Sequence, residues 1–174
     1  MTDDLEMVIT NNNLPLLSQL EELIRLNLHK TMRQIGLQVE RCARMHIQNQ
    51  DLNWVALSDS WLAEKKKHGY SEQIYIMTSS YLQNITWQYT EAEFKLEVGL
   101  MRSAMWIDPN TGHITPAYQI AFALEYGYDP KHIPARPLWH PVLEESRRSA
   151  QTKIGISIKK AFLEIEARAT KGTP

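Results

Sequence analysis

The stretch EYGYDPKHIPARPLWHP, Glu125 to Pro141, sets three prolines, Pro134, Pro137 and Pro141, within eight residues, next to Arg136 and Trp139. A proline lacks a backbone N–H and pushes the residue before it toward extended geometry, so Ile133, Arg136 and His140 are expected to be β or polyproline-like. Neither a continuing helix nor a central strand fits. The segment reads as a stiff extended strap, and rigid backbone that loses little entropy on docking suits a surface gripped by another subunit. A plain connection between two elements is the competing reading.

Working toward the N-terminus, AYQIAFALEYG gives a short helix or strongly buried segment ahead of the strap, and DPNTG at Asp108 to Gly112 is a turn signal. Before that, Ile85, Trp87 and Tyr89 alternate with polar residues, EAE supplies a turn, and Phe94, Leu96 and Val98 alternate again. This is the pattern of a β-hairpin with one buried face. Residues 101–117 are expected to form a turn-rich loop.

The first third is helical in pattern. Asn13 and Pro15 suit a helix start, Ser18 and Glu21 offer an alternative capping box, and Gly36 is the only glycine before residue 51. Leu17, Leu20, Ile24, Leu28, Met32, Ile35, Val39 and Cys42 step by three or four and mark one buried stripe. At roughly 1.5 Å per residue the helix is about 50 Å long, more than one small sheet needs, which leaves two readings: a part projecting toward another subunit, or a helix wholly packed within its own chain. Trp54, Leu57 and Trp61 follow, and Lys65 to Lys67 read as a solvated helix end capped at Gly69, with phosphate contact as the alternative. Beyond the strap, Pro141 can open a final helix lined by Ile154, Ile158, Phe162 and Ile165.

The expected architecture is α+β: a small antiparallel β-sheet flanked by a long N-terminal helix and a C-terminal helix. Residues 1–12 are expected to be a flexible acidic N-terminal arm, 13–170 a single α+β domain, and 171–174 a flexible tail. At 174 residues and 43% hydrophobic, the chain is long enough for one real core and short for two.

Charge is polarised along the chain. Residues 1–50 hold five Lys/Arg against six Asp/Glu, 51–130 five against ten, and 131–174 nine against four, or −1, −5 and +5. An overall charge of −1 gives no global basic field for nucleic acid, while the basic last segment suits an acidic partner surface or the acidic middle segment of another copy, with ordinary solvated faces as the competing reading. Cys42 is the only cysteine, so neither an intramolecular disulfide nor a cysteine-based metal cluster is expected, and a reducing compartment fits best. The N-terminus shows no Sec-type leader, and no membrane anchor is expected.

Catalytic signatures are missing. The histidines show no i, i+4 pair with one another and no HExxH arrangement, DPNTG lacks the downstream acid that closes a calcium loop, and no phosphate loop or GxSxG elbow occurs. Cys42 on the apolar stripe reads as a small hydrophobe. The expectation is a non-enzyme with no cofactor and no metal.

Across about residues 50–150 the order of signals resembles the tail-completion or head-tail-joining family of long-tailed bacteriophages, including the virion morphogenesis proteins of Mu-type phages. Trp54, Leu57 and Ser58 stand for the family's tryptophan followed by Leu-Ser. Lys66 and Gly69 match its lysine-bearing helix, and Ile74, Tyr75, Ile76 and Thr78 its apolar strand. Ile85, Val98 and Gly99 fall on its hairpin. Tyr118 and Ala121 approximate its Tyr-Ala segment, Tyr126 and Gly127 its aromatic-Gly pair, and Ile133 to Leu138 its IPARPFL-like strap. Ser79, Ser80 and Tyr81 depart from the usual Gly, Arg and Leu, and residues 101–117 are longer than the family loop.

The resemblance implies a structural virion protein that forms a homo-oligomeric ring at the neck, completes the tail and joins it to the head connector. Its implied partners are copies of itself, head-tail connector proteins, and a tail terminator or tail tube protein, with incidental contact to DNA in the channel. It would be found in the virion and, during assembly, in the host cytoplasm. The interface candidates are Tyr126, Ile133, Pro134, Arg136, Pro137, Leu138 and Trp139. A tail terminator or minor tail component is the nearest alternative, and a nucleic-acid-binding module built on Lys65 to Lys67 and the basic last helix is a more distant one.

Overall fold

The computed structural model describes residues 14–76, 80–108 and 111–171. The fold is α+β, with a long N-terminal helix, small antiparallel two-stranded sheets and a C-terminal helix. The expected arm at 1–12 and most of the tail at 171–174 lie outside the described residues. Among the described residues the contacts form two compact units, 14–32 with 151–171, and 33–150.

The first unit takes the N-terminal part of helix α1 (Leu14–Asn49) and the C-terminal part of helix α5 (Trp139–Lys171). Its core is Leu20, Leu23, Ala161 and Ile165, with Ile24 and Phe162 half-buried against it. The buried positions step by three or four along each helix, so only one stripe of each is covered.

The second unit holds everything from Arg33 to Ala150. Within it α1 buries Ile35, Val39, Cys42, Ala43 and Ile47, all under 9% exposed. Helix α2 (Asp59–Lys67) is capped by the Ser58 hydroxyl, which accepts from the Trp61 N–H at 3.3 Å. It ends at His68, and Gly69 takes φ +68° just beyond, the left-handed stop its sequence predicts. The short helix α3 (Ser80–Asn84) then feeds strand β1 (Ile85–Thr90).

β1 pairs antiparallel with β2 (Lys95–Leu100), placing Trp87 opposite Val98 and Tyr89 opposite Leu96. Phe94, read as the first apolar residue of the second strand, instead sits in the turn at φ 50°. A two-stranded sheet is marginal by itself. Here it lies on α1, where Gly36 makes room: a Cβ at residue 36 would stand 2.8 Å from the Trp87 ring and 3.0 Å from Leu96. Arg44 on α1 adds a hydrogen bond from Nη2 to the Ile85 carbonyl, 2.7 Å.

Residues 101–117, expected as a loop, contain a second hairpin of β3 (Met105–Ile107) and β4 (Ile114–Pro116). The Asp108 N–H donates to the His113 carbonyl at 2.8 Å, and Gly112 closes the turn at φ +69°. Helix α4 (Ala117–Tyr126) continues directly from β4.

Two glycines separate the effects that shape the helices. Gly155 in α5 has nothing within 4 Å of an added Cβ, so Gly155→Ala should raise stability by about 0.5–1 kcal/mol through helix propensity alone. Gly36→Ala gains the same propensity but drives a methyl into Trp87, and should lower stability by about 1–2 kcal/mol. Urea unfolding midpoints of the two variants check the opposite signs.

Candidate functional site

The strap is fixed by one carboxylate. Glu125, near the end of α4 and 9% exposed, accepts from the backbone N–H of Leu138 (2.7 Å), Trp139 (3.0 Å) and His140 (3.0 Å). These are the donors that the first turn of α5 would otherwise leave unmatched. Pro141 has no N–H, and the Val142 N–H already reaches the Leu138 carbonyl at 3.2 Å. Every donor at this helix start is therefore accounted for, and the negative charge lies at the positive end of the helix dipole. This corrects the expectation for His140, which is helical: Pro141 is harmless within a first turn, and the carboxylate holds the turn in place.

Arg136 is likewise turned inward. Its Nε donates to the Val55 carbonyl at 2.7 Å and its Nη2 to the Ala56 carbonyl at 3.0 Å. Burial pulls its pKa below the ordinary arginine value, with the neighbouring Tyr75 acting in the opposite sense. The Trp54 indole donates to the Pro137 carbonyl at 2.7 Å, and the Tyr75 hydroxyl donates to the Arg136 carbonyl. Tyr75 packs between Trp54 and Tyr81, with ring centroids 5.0 and 4.9 Å away. Burial pushes the Tyr75 and Tyr81 hydroxyls well above the usual tyrosine range.

Tyr75 occupies a left-handed backbone conformation, φ 65°, which a bulky aromatic adopts only under constraint. Gln50 provides one: its amide accepts from the Ile74 N–H at 2.9 Å and donates to the Ile74 carbonyl at 3.0 Å. Lys65 provides another by donating to the Gln73 and Ile76 carbonyls at 2.6 and 2.8 Å. Lys65 is 3% exposed, so the reading of all three lysines as a solvated helix end holds only for Lys66 and Lys67.

Gly127 makes the return from α4 to the strap. At φ 81° it lets Tyr128 and Ile133 pair, and a Cβ there would stand 3.1 Å from the Ile133 carbonyl oxygen and 3.2 Å from the Ala135 nitrogen. The seven interface candidates accordingly divide. Arg136 (5% exposed) and Leu138 (0%) are consumed inside the chain and are withdrawn as anchors for a partner. Ile133, Pro134 and Trp139 are half-buried, Pro137 is exposed, and Tyr126 is 70% exposed.

Tyr126 belongs to an exposed surface of α4. Tyr118, Phe122 and Tyr126 recur every four residues along α4 and are 56, 64 and 70% exposed. The Phe122 and Tyr126 rings pack 4.7 Å apart. On the adjoining hairpin Met105, Ile107 and Ile114 are also more than half exposed, with Ile107 directly opposite Ile114. Apolar side chains at helical spacing normally mark the covered face of a helix, and here they mark an uncovered one.

A polar cluster elsewhere in the second unit joins α1 to α5. Cys42 Sγ, His46 and the Glu145 carboxylate have ligand atoms within 4.8 Å of one another. His46 Nε2 lies 3.0 Å from Glu145 Oε2, and Nδ1 lies 2.6 Å from Asp51 Oδ1. Burial, with Glu145 beside it, pushes the Cys42 thiol up to about 11, so it is a protonated thiol at neutral pH. For His46 burial acts to lower the pKa, but the hydrogen bonds to Asp51 and Glu145 outweigh it and the net direction is upward. A search for paired histidines passes over this group, whereas the spacing Cys42-x-x-x-His46 would have found it.

Among the described residues no helix is long and apolar enough to cross a membrane. Comparison with protein-family models, curated proteins and solved structures finds no match to this chain.

Replacing Glu125 by Ala should destabilise the chain by about 2–3 kcal/mol, because three backbone donors lose a charged acceptor. Glu125→Gln, with one carbonyl oxygen retained, should lose less, and chemical denaturation ranks the two. Tyr81 gives a pH test. Its folded pKa is raised, so its contribution is fully present below the ordinary tyrosine value of 10.0 and is lost as pH rises above it. Tyr81→Phe should therefore flatten the loss of stability above pH 10, measured as melting temperature against pH.

Proposed function

We propose that this chain is a non-enzymatic structural protein of a tailed-bacteriophage neck or tail end, which assembles with copies of itself into a ring and joins tail to head connector. The observation that carries the self-assembly part of this reading is the exposure of Tyr118, Phe122 and Tyr126 along α4, together with that of Met105, Ile107 and Ile114 on the adjoining hairpin. Large aromatics of this kind concentrate at the centres of protein interfaces and are seldom left in water as a group. The resemblance in residues 50–150 to the tail-completion family supplies the neck.

The occupant of that face is a second copy of this chain. The face lies in residues 105–126, which hold no Lys or Arg and whose only acids are Asp108 and the buried Glu125, so its contact with a second copy is an apolar one. An apolar surface on one copy set against a different surface of the next forms a heterologous contact, and such contacts close into rings when the rotation between copies allows. The remaining partners are head-tail connector proteins and a tail terminator or tail tube protein. The commitment of Lys65 to two backbone carbonyls removes one of the three lysines on which a nucleic-acid-binding reading depended.

Native mass spectrometry of the protein alone and with tail tubes, followed by negative-stain imaging, tests the assignment. A ring that caps tube ends is the expected result, and a monomer that ignores tubes would overturn it. Phe122→Asp and Tyr126→Ser should each shift the ring toward monomer while changing monomer stability by no more than about 0.5 kcal/mol, as at an exposed position. Light scattering and thermal melts on the same samples separate these two effects.

A further inference from the structure

We propose that Cys42 Sγ, His46 Nε2 and the Glu145 carboxylate bind a zinc-type divalent cation, with water at the fourth position, clipping α1 to α5 within the second unit.

The geometry is close to that of an open tetrahedral site. Bonds of about 2.0–2.3 Å to nitrogen, oxygen and sulfur place ligand atoms roughly 3.3–3.8 Å apart. The three atoms here already lie within 4.8 Å, so shifts of about 1 Å complete the coordination. Glu145, whose side chain is 61% exposed, is free to make the largest of them. Cys42 and His46 are one turn apart on the same face of α1, so the helix itself fixes two ligands.

The second shell is also present. His46 Nδ1 faces Asp51 Oδ1 at 2.6 Å, which directs Nε2 toward Cys42 and Glu145. A histidine that ligates a metal through one nitrogen typically gives the other to a carboxylate in this way, which fixes the tautomer and raises its basicity. Two of the three ligands, Cys42 and Glu145, line a cleft of about 180 Å³ with Gln38, Arg41, Met45 and Ser146, which gives water a route to the site.

Charge and softness select the cation. Binding forms a metal–sulfur bond as the Cys42 S–H bond breaks and its proton passes to solvent. Thiolate and carboxylate then balance a divalent charge, a balance the site needs because Arg41 brings a positive charge to the same cleft. One thiolate and one imidazole disfavour magnesium and calcium, which take oxygen ligands, and suit zinc or its spectroscopic substitute cobalt(II). This inference stands on its own geometry and is independent of the neck assignment.

Cobalt(II) titration of the chelator-treated full-length chain tests it. The expected result is one ion per chain, a thiolate-to-cobalt charge-transfer band in the near ultraviolet, the visible bands of a tetrahedral ion, and displacement of all of them by zinc. Cys42→Ser should abolish the charge-transfer band. Because Cys42 is buried, the exposed Glu145→Gln variant provides an independent reading, with an expected affinity loss of about tenfold or more, and Asp51→Asn should weaken binding about 10- to 100-fold. Absence of a charge-transfer band in the wild-type chain, or cobalt affinity unchanged in folded Glu145→Gln and Asp51→Asn, would overturn the proposal.

Discussion

The contact of the Glu125 carboxylate with the first turn of α5 is the constraint on which the second unit depends. Because it takes the N–H groups of Leu138, Trp139 and His140 together, it fixes where α5 begins and how the strap must approach it. The strap in turn brings Arg136 to the Val55 and Ala56 carbonyls and Pro137 to Trp54, so the otherwise irregular segment after α1 gains its backbone partners from the same place. A buried carboxylate without partners would be strongly unfavourable. At the N-terminus of a helix, with three backbone donors, it becomes a support.

Much of this was legible in the sequence because the signals were local. Apolar steps of three and four gave α1 and the stripe on α5, alternation gave the β1–β2 hairpin, and Gly69 marked the end of α2. The proline strap read as extended because proline restricts backbone whatever its surroundings. The direction in which Arg136 and Lys65 point was not legible. Arginine and lysine are ordinarily solvated, and only the fold reveals the carbonyl groups that draw them in.

Other misses have equally physical origins. The β3–β4 hairpin has strands of three residues and leaves Met105, Ile107 and Ile114 outside, so its apolar alternation gives no covered face to detect. The same inversion affects α4, whose four-residue spacing of Tyr118, Phe122 and Tyr126 reads as a core stripe when the residues are in fact exposed. Periodicity identifies the apolar side of an element and says nothing of whether the chain or a neighbour covers it. Glu145, more than ninety positions from Cys42, joins the polar cluster only through the packing of α5 beside α1.

The lysine run at the end of α2 is chemically uneven. Lys66 and Lys67, with side chains 61 and 71% exposed, hold their amines at the surface beside Glu72 and Glu64, whereas the Lys65 amine is shut away between two backbone carbonyls and its pKa is drawn below the ordinary lysine value by burial. A reagent that acylates amines therefore meets three consecutive identical residues and finds two accessible. The third becomes available only when the 73–76 backbone moves away from α2, so its modification is a clock for local opening, written in the covalent chemistry of a single side chain.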